Sequence, residues 1–235
     1  MFRWLVSALL SASIYGLSIS SALGQDAGAL CGVSTLSDLQ QGSAQTAAST
    51  QAESADDAYL SGLAYAKAQD CSRALASMQA AAAKGSPKAM NALGEMYEAG
   101  SASSPDLNQA LTFYKQAATA GDPRAIYNLG RLVVSGKTTV EKASFDALQL
   151  TGGSAPWGGG DTSAHSSDED RYRAAAAFWG KSAEAGDHLA QYQLGSLYES
   201  GLGVPKNLAR ALALYRAAAP YVSGAQEALD RLLKS

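Results

Sequence analysis

The stretch Ala190-Gln-Tyr-Gln-Leu-Gly-Ser-Leu-Tyr-Glu-Ser-Gly201 occurs in variant form twice more in the chain. It is found as Ala89-Met-Asn-Ala-Leu-Gly-Glu-Met-Tyr-Glu-Ala-Gly100 and as Ala125-Ile-Tyr-Asn-Leu-Gly-Arg-Leu-Val-Val-Ser-Gly136. Self-similarity at a period of tens of residues is the signature of a solenoid, in which each unit buries its apolar face only against its neighbours. Such an architecture favours an extended binding surface over a pocket enzyme.

A second recurring pattern follows each copy and stands once more before the first. It reads Ala74-Leu-Ala-Ser-Met78, Ala110-Leu-Thr-Phe-Tyr114, Ala175-Ala-Ala-Phe-Trp179 and Ala211-Leu-Ala-Leu-Tyr215. Apolar residues fall at steps of three and four in both patterns, so each unit is predicted to be a pair of amphipathic helices. Gly94, Gly130 and Gly195 lie inside first helices, where glycine costs about 1 kcal/mol relative to alanine. Their recurrence predicts a close approach of two helix backbones, with the alanines of the second helix on the other side. Gly85, Gly121 and Gly186 follow the last periodic residues and suit left-handed caps. Ser86-Pro87 and Asp122-Pro123 then start the next helix, where proline is tolerated.

These residues resemble the Sel-one-like repeat, a longer relative of the tetratricopeptide repeat. The resemblance covers residues 56–235 and is strongest from Ala190 to Ala219, including the turn Gly201-Leu-Gly-Val-Pro205. It implies an all-α fold: a right-handed α-α superhelix of about four helix hairpins with a C-terminal capping helix. The first unit has the shorter spacing of a plain tetratricopeptide repeat, 12 residues from Gly62 to Ala74 against 16 from Gly94 to Ala110. The last copy, Ala225 to Leu233, puts Asp230 at the glycine position and reads as the cap. Unit three is interrupted by an insertion at about residues 137–170, with a glycine-rich run around Trp157 and the acidic Asp168-Glu-Asp170. Insertions in repeats map to loops, often on a binding face. Trp157 is either a loose loop residue or an anchor for a partner, the latter favoured because tryptophan is a preferred hot-spot type. Residues 139–150 could form a short extra helix.

The ends bear on compartment. Met1-Phe-Arg3 precedes a charge-free run from Trp4 to Leu23, which reads as a signal peptide (residues 1–24) cleaved after Gly24. An uncleaved anchor is the alternative, weakened by six serines in the run; no later segment is apolar enough to span a bilayer. Residues 25–55 are polar, small and low in complexity, and are expected to be a largely disordered leader. Export permits a disulfide, and the even count favours pairing of the two cysteines, Cys31 and Cys71, over two free thiols. No Asn is followed by x-Ser/Thr, which favours a bacterial periplasm over a eukaryotic secretory lumen, although secretion beyond it is equally compatible. A net charge of −3 gives no electrostatic footprint for nucleic acid.

Tests for catalytic and cofactor motifs fail. Gly136-Lys-Thr138 lacks the preceding glycine and strand of a phosphate loop. The two histidines, His165 and His188, have no metal-ligand spacing, and no Ser-x-x-Lys or Gly-x-Ser-x-Gly element is present. The chain is therefore expected to have no catalytic residue, metal or cofactor. By analogy with tetratricopeptide units, the resemblance places the partner groove on the first helices. Three residues before the helical glycine are Tyr59, Asn91, Tyr127 and Tyr192; one after it are Leu63, Glu95, Arg131 and Ser196. Tyr127 and Tyr192 are read either as groove ligands or as fillers between helices. Lys88, Arg124 and Arg131 are candidate cations for an acidic group on a partner. The leading expectation is a periplasmic adaptor that binds a protein or peptide segment, with the family implying roles in envelope signalling or exopolysaccharide production. The rival is a cell-wall-active enzyme or a binder of penicillin or peptidoglycan, disfavoured because the repeated cysteine pairs of such relatives are missing.

Overall fold

Helix starts in this chain are set by single polar residues. In the computed structural model, which describes residues 30–34, 54–101, 104–138 and 168–234, Ser54 opens α1 (Ala55–Lys67) with a capping box. Its hydroxyl accepts from the Asp57 N–H while the Asp57 carboxylate accepts from the Ser54 N–H. Asp70 opens α2 (Cys71–Ala83), Ser86 opens α3 (Pro87–Ala99), Asp106 opens α4 (Leu107–Thr119) and Asp122 opens α5 (Pro123–Val134). The three acidic residues Asp168, Glu169 and Asp170 form the first turn of α6 (Asp168–Glu184), where they meet the positive end of the helix dipole, so the end of the insertion expected as a loop is helical. Asp187 opens α7 (His188–Ser200), Asn207 opens α8 (Leu208–Ala218), and α9 (Ser223–Leu233) starts without a side-chain cap.

The exits are equally local. Gly85, Gly121 and Gly186 have φ of 89°, 88° and 91°. Each donates to the carbonyl three residues back, and the residue after it donates to the carbonyl five back, as Gly85 does to Ala82 and Ser86 to Ala81. This paired arrangement closes the second helix of a unit and hands the chain directly to the cap of the next first helix.

Among the described residues there are nine α-helices and no strand, and every helix packs against the one before and the one after it. Helices α1–α2, α3–α4, α5–α6 and α7–α8 form four hairpins, and α9 covers the end. The molecule is an all-α helical repeat solenoid. Its core runs through it in three adjoining clusters centred on Leu63, Met78 and Leu93, then Tyr114, Leu129 and Phe178, then Leu194, Tyr198 and Tyr215.

The helical glycines act differently from the sequence expectation. A Cβ on Gly94 would lie 2.6 Å from the Tyr114 ring, on Gly130 2.7 Å from Trp179 Nε1, and on Gly195 2.8 Å from the Tyr215 ring. The glycine is thus a hole for a large side chain of its own second helix, not a point where alanines bring two backbones together. Trp179 Nε1–H donates to the Tyr127 carbonyl at 3.2 Å, so the indole is both packed and satisfied.

Cys31 and Cys71 form a disulfide with a Cα–Cα separation of 5.2 Å. It ties a short 3-10 turn, Leu30–Gly32, to the start of α2, and the turn packs against α1, α2 and α3. Within the expected loose leader, then, residues 31–34 are built into the array, and Val33 is 1% exposed. Residues 1–24, 139–150, Trp157 and His165 lie outside the described residues.

Candidate binding face of the first helices

Helices α1, α3, α5, α7 and α9 stand side by side, so a residue at one repeat position is neighbour to its equivalent in the next unit. This brings the sequence-predicted residues onto one face, but most of them are engaged with each other. Asn91 and Glu95 of α3 and Asn128 of α5 are buried. Asn91 Nδ2 donates to Glu95 Oε1 at 3.1 Å; Asn128 Nδ2 donates to the same oxygen at 3.2 Å and to Asn91 Oδ1 at 3.0 Å. Two further donors reach Glu95 from outside the helices: the Ser34 N–H meets Oε2 at 2.8 Å and the Ser34 hydroxyl meets Oε1 at 2.7 Å.

The tyrosines fill spaces between elements. Tyr59 and Tyr127 are buried, with Lys88 above the Tyr59 ring and Arg124 above the Tyr127 ring. Tyr127 stacks on Trp179, and the half-buried Tyr192 leans on Tyr215 and on the backbone of Gly224 in α9. Both the Tyr127 and Tyr192 rings occupy space between helices. Leu63 is core, and Ser196 stays half-buried on α7.

The cations are also spoken for. Arg124 Nε donates at 2.6 Å to Asp187, the residue that caps α7, so one carboxylate links the starts of two first helices. Arg131 grips Glu98 with both terminal nitrogens, Nη1 at 2.9 Å, while the Tyr114 hydroxyl donates to the same carboxylate at 3.1 Å. Burial opposes ionisation of Glu98, yet the Arg131 hydrogen bonds and charge hold its carboxyl below the usual range. Burial and the nearby carboxylates of Glu95 and Glu98 push the Tyr114 phenol well up. Burial likewise pushes the Asp122 carboxyl up to about 6, against the Ala125 N–H and Arg124, with Glu95 adding to the rise.

The Glu98–Tyr114–Arg131 arrangement recurs as Glu199–Tyr215–Arg231: Tyr215 donates to Glu199 at 2.6 Å and Arg231 at 2.7 and 2.9 Å. Each is a staple joining a first helix, its second helix and the next first helix. The sequence carried the signal, a Glu four residues after the helical glycine in two copies, replaced by Val134 in the third. Sequence reasoning offered Arg131 as a candidate cation for a partner and missed the staple.

His188 stacks on Tyr221 with ring centroids 3.7 Å apart and pairs with Gln191. Among the described residues no group of three His, Cys, Asp or Glu side chains is placed to hold a metal, and no helix is long and apolar enough to cross a membrane.

A stack of helix hairpins with a continuous first-helix face is the architecture of a repeat scaffold. The Sel1 repeat family model matches residues 87–122 and 188–219, which are the hairpins α3–α4 and α7–α8 with their turns. These two hairpins are therefore similar to Sel1 repeats. Among solved structures it is similar to a Sel1 repeat protein from Oxalobacter formigenes, with 27% identity and a TM-score of 0.57 over 76% of this chain and 63% of that one. It also matches a protective antigen of uropathogenic Escherichia coli strains displaying an SLR fold, at 23% identity and a TM-score of 0.38, over 85% of this chain and 51% of that one. The chain thus spans less than two thirds of the length of either. No curated protein matches it. The repeat family points to a protein–protein interaction scaffold, typically a non-catalytic one.

Proposed function

We propose that this protein is an exported adaptor that holds a segment of another protein against its first-helix face. The observation that carries this reading is the Ser34–Glu95 contact. A stretch of chain from outside the helices already lies on that face, held through its backbone N–H and a side-chain hydroxyl. That is the way a scaffold grips a peptide, through main-chain groups for affinity and neighbouring side chains for choice. Export is supported by the charged start and apolar run before Gly24, and the Cys31–Cys71 bond fits an oxidising compartment such as the periplasm. Involvement in envelope signalling or exopolysaccharide control is the narrower form of the proposal and follows from the family resemblance.

The test is a pull-down from envelope extracts with the wild type and with Lys88→Glu/Ser196→Arg, two changes on the first-helix face at exposed and half-buried positions. The variant is expected to keep its helical circular dichroism and to lose the proteins that the wild type captures. Recovery of the same proteins by both would refute the assignment to this face.

A further inference from the structure

Glu95 is a buried carboxylate that no charged hydrogen-bond donor meets among the described residues. It occupies the position that holds Arg131 in α5, Ser196 in α7 and Arg231 in α9, and both arginines are clamped by a glutamate of the preceding unit. In the first unit the residue equivalent to Glu98 and Glu199 is Ala66, so the staple is missing there. Glu95 is nevertheless buried, and the four donors that meet it are neutral: two amides and the two groups of Ser34. A buried carboxylate is costly unless donors satisfy it, and here half of the donors come from a segment that is no part of any repeat. That segment is fitted, not merely adjacent. Val33 is sealed, and a Cβ on Gly32 would stand 2.7 Å from Ala99 Cβ and 2.8 Å from Ser101 Oγ.

We infer that Cys31–Ser34 is a tethered stand-in for a ligand. It fills a site, formed by Glu95, Asn91 and Asn128, for a partner's segment in which a small apolar residue precedes Ser or Thr, and the Cys31–Cys71 disulfide keeps the site closed. This rests on the first-helix face being the binding face. The bond spans 40 residues of sequence, so it holds the stand-in at a local concentration that a free peptide does not match. Opening requires a dithiol reductant. One of its thiolates attacks Cys71 Sγ, which is the more exposed sulfur, and Cys31 leaves as a thiolate that takes up a proton. The second thiol of the reductant resolves the mixed disulfide, so the reductant is oxidised to its own disulfide and both cysteines become thiols.

The test measures fluorescence anisotropy of a labelled peptide, residues 29–36 carrying Cys31→Ser, against the full chain. The oxidised chain is expected to bind it about tenfold or more weakly than the chain reduced with dithiothreitol or the Cys31→Ser/Cys71→Ser variant. In that variant background Glu95→Gln, or Ser34→Ala in the peptide, is expected to weaken binding about tenfold. Equal binding to oxidised and reduced chain, no binding to the reduced chain, or indifference to Glu95→Gln would overturn the proposal. So would loss of helical circular dichroism on reduction, because the segment would then be a structural brace. The two readings fail separately. Peptide binding as described, with envelope capture unaffected by Lys88→Glu/Ser196→Arg, removes the partner assignment alone; capture that depends on the face, with no peptide binding, removes the stand-in alone.

Discussion

Gly94 shows how one missing methyl group orders a repeat. Alanine is the better helix former by about 1 kcal/mol, yet a Cβ there would sit 2.6 Å from a fully buried tyrosine ring held on its far side by Glu98. Gly94→Ala is therefore expected to destabilise the protein by about 1–3 kcal/mol. At Gly62 the obstacle is the flexible end of Met78 at 2.9 Å, which can turn aside, so Gly62→Ala should be close to neutral. Urea midpoints of the two variants check the contrast. The recurring glycine was legible in the sequence. What it faces was not, because the pattern gives a position on one helix and not the rotamer of a side chain on another.

Asp122 carries a second residue-scale prediction. It caps α5 and its carboxyl is pushed up to about 6 by burial, from 3.8. The folded state therefore holds the proton more tightly than the unfolded chain. The protein is expected to lose stability as pH rises from about 4 to about 6 and to change no further above that on this account. Asn is as good a cap as Asp. Asp122→Asn should thus match the wild type near pH 4 and be the more stable of the two at pH 7, by on the order of 1–3 kcal/mol. Urea unfolding at both pH values decides it; a wild type that is the more stable at pH 7 refutes the assignment.

At the scale of elements, the helix starts and stops were largely readable. Ser86-Pro87, Asp122-Pro123 and the glycines 85, 121 and 186 act in the structure as their local chemistry says, because a cap depends on a few consecutive residues. What joins elements was harder to read. The staples link residues 16, 32 and 33 apart, and only the stack of first helices brings them together. They should differ in strength. Glu98 and Arg131 side chains are 13% and 30% exposed, whereas Glu199 and Arg231 are 23% and 62% exposed. Arg131→Met is expected to cost about 1–3 kcal/mol at pH 7 because it strands a half-buried carboxylate. Arg231→Met should cost less than about 1 kcal/mol, as water already surrounds the pair. The Glu98 contribution is present at neutral pH and disappears as pH falls through its depressed pKa, so the two variants should converge in acid.

For the whole molecule, the repeat pattern was enough to reach a solenoid of four hairpins and a closing helix, since periodicity and stacking are properties of the sequence itself. The binding face was legible only as an address. Position within the repeat placed Tyr59, Asn91, Glu95, Arg124, Tyr127 and Arg131 on the first-helix face, but their occupation depends on neighbouring units. Tyr127 is claimed by Trp179, Arg124 by Asp187, Arg131 by Glu98 and Glu95 by Ser34. A leader read as loose supplies that last contact, because a single disulfide can order a few residues that their composition would leave free.

Whether the partner meets the first helices is decided by placing a photo-activatable cross-linking residue at Ser196 on α7 or at the exposed Leu208 on α8, and irradiating intact cells. A discrete cross-linked protein from Ser196 and none from Leu208 is the expected result. The same protein captured from Leu208, with nothing from Ser196, would contradict the account.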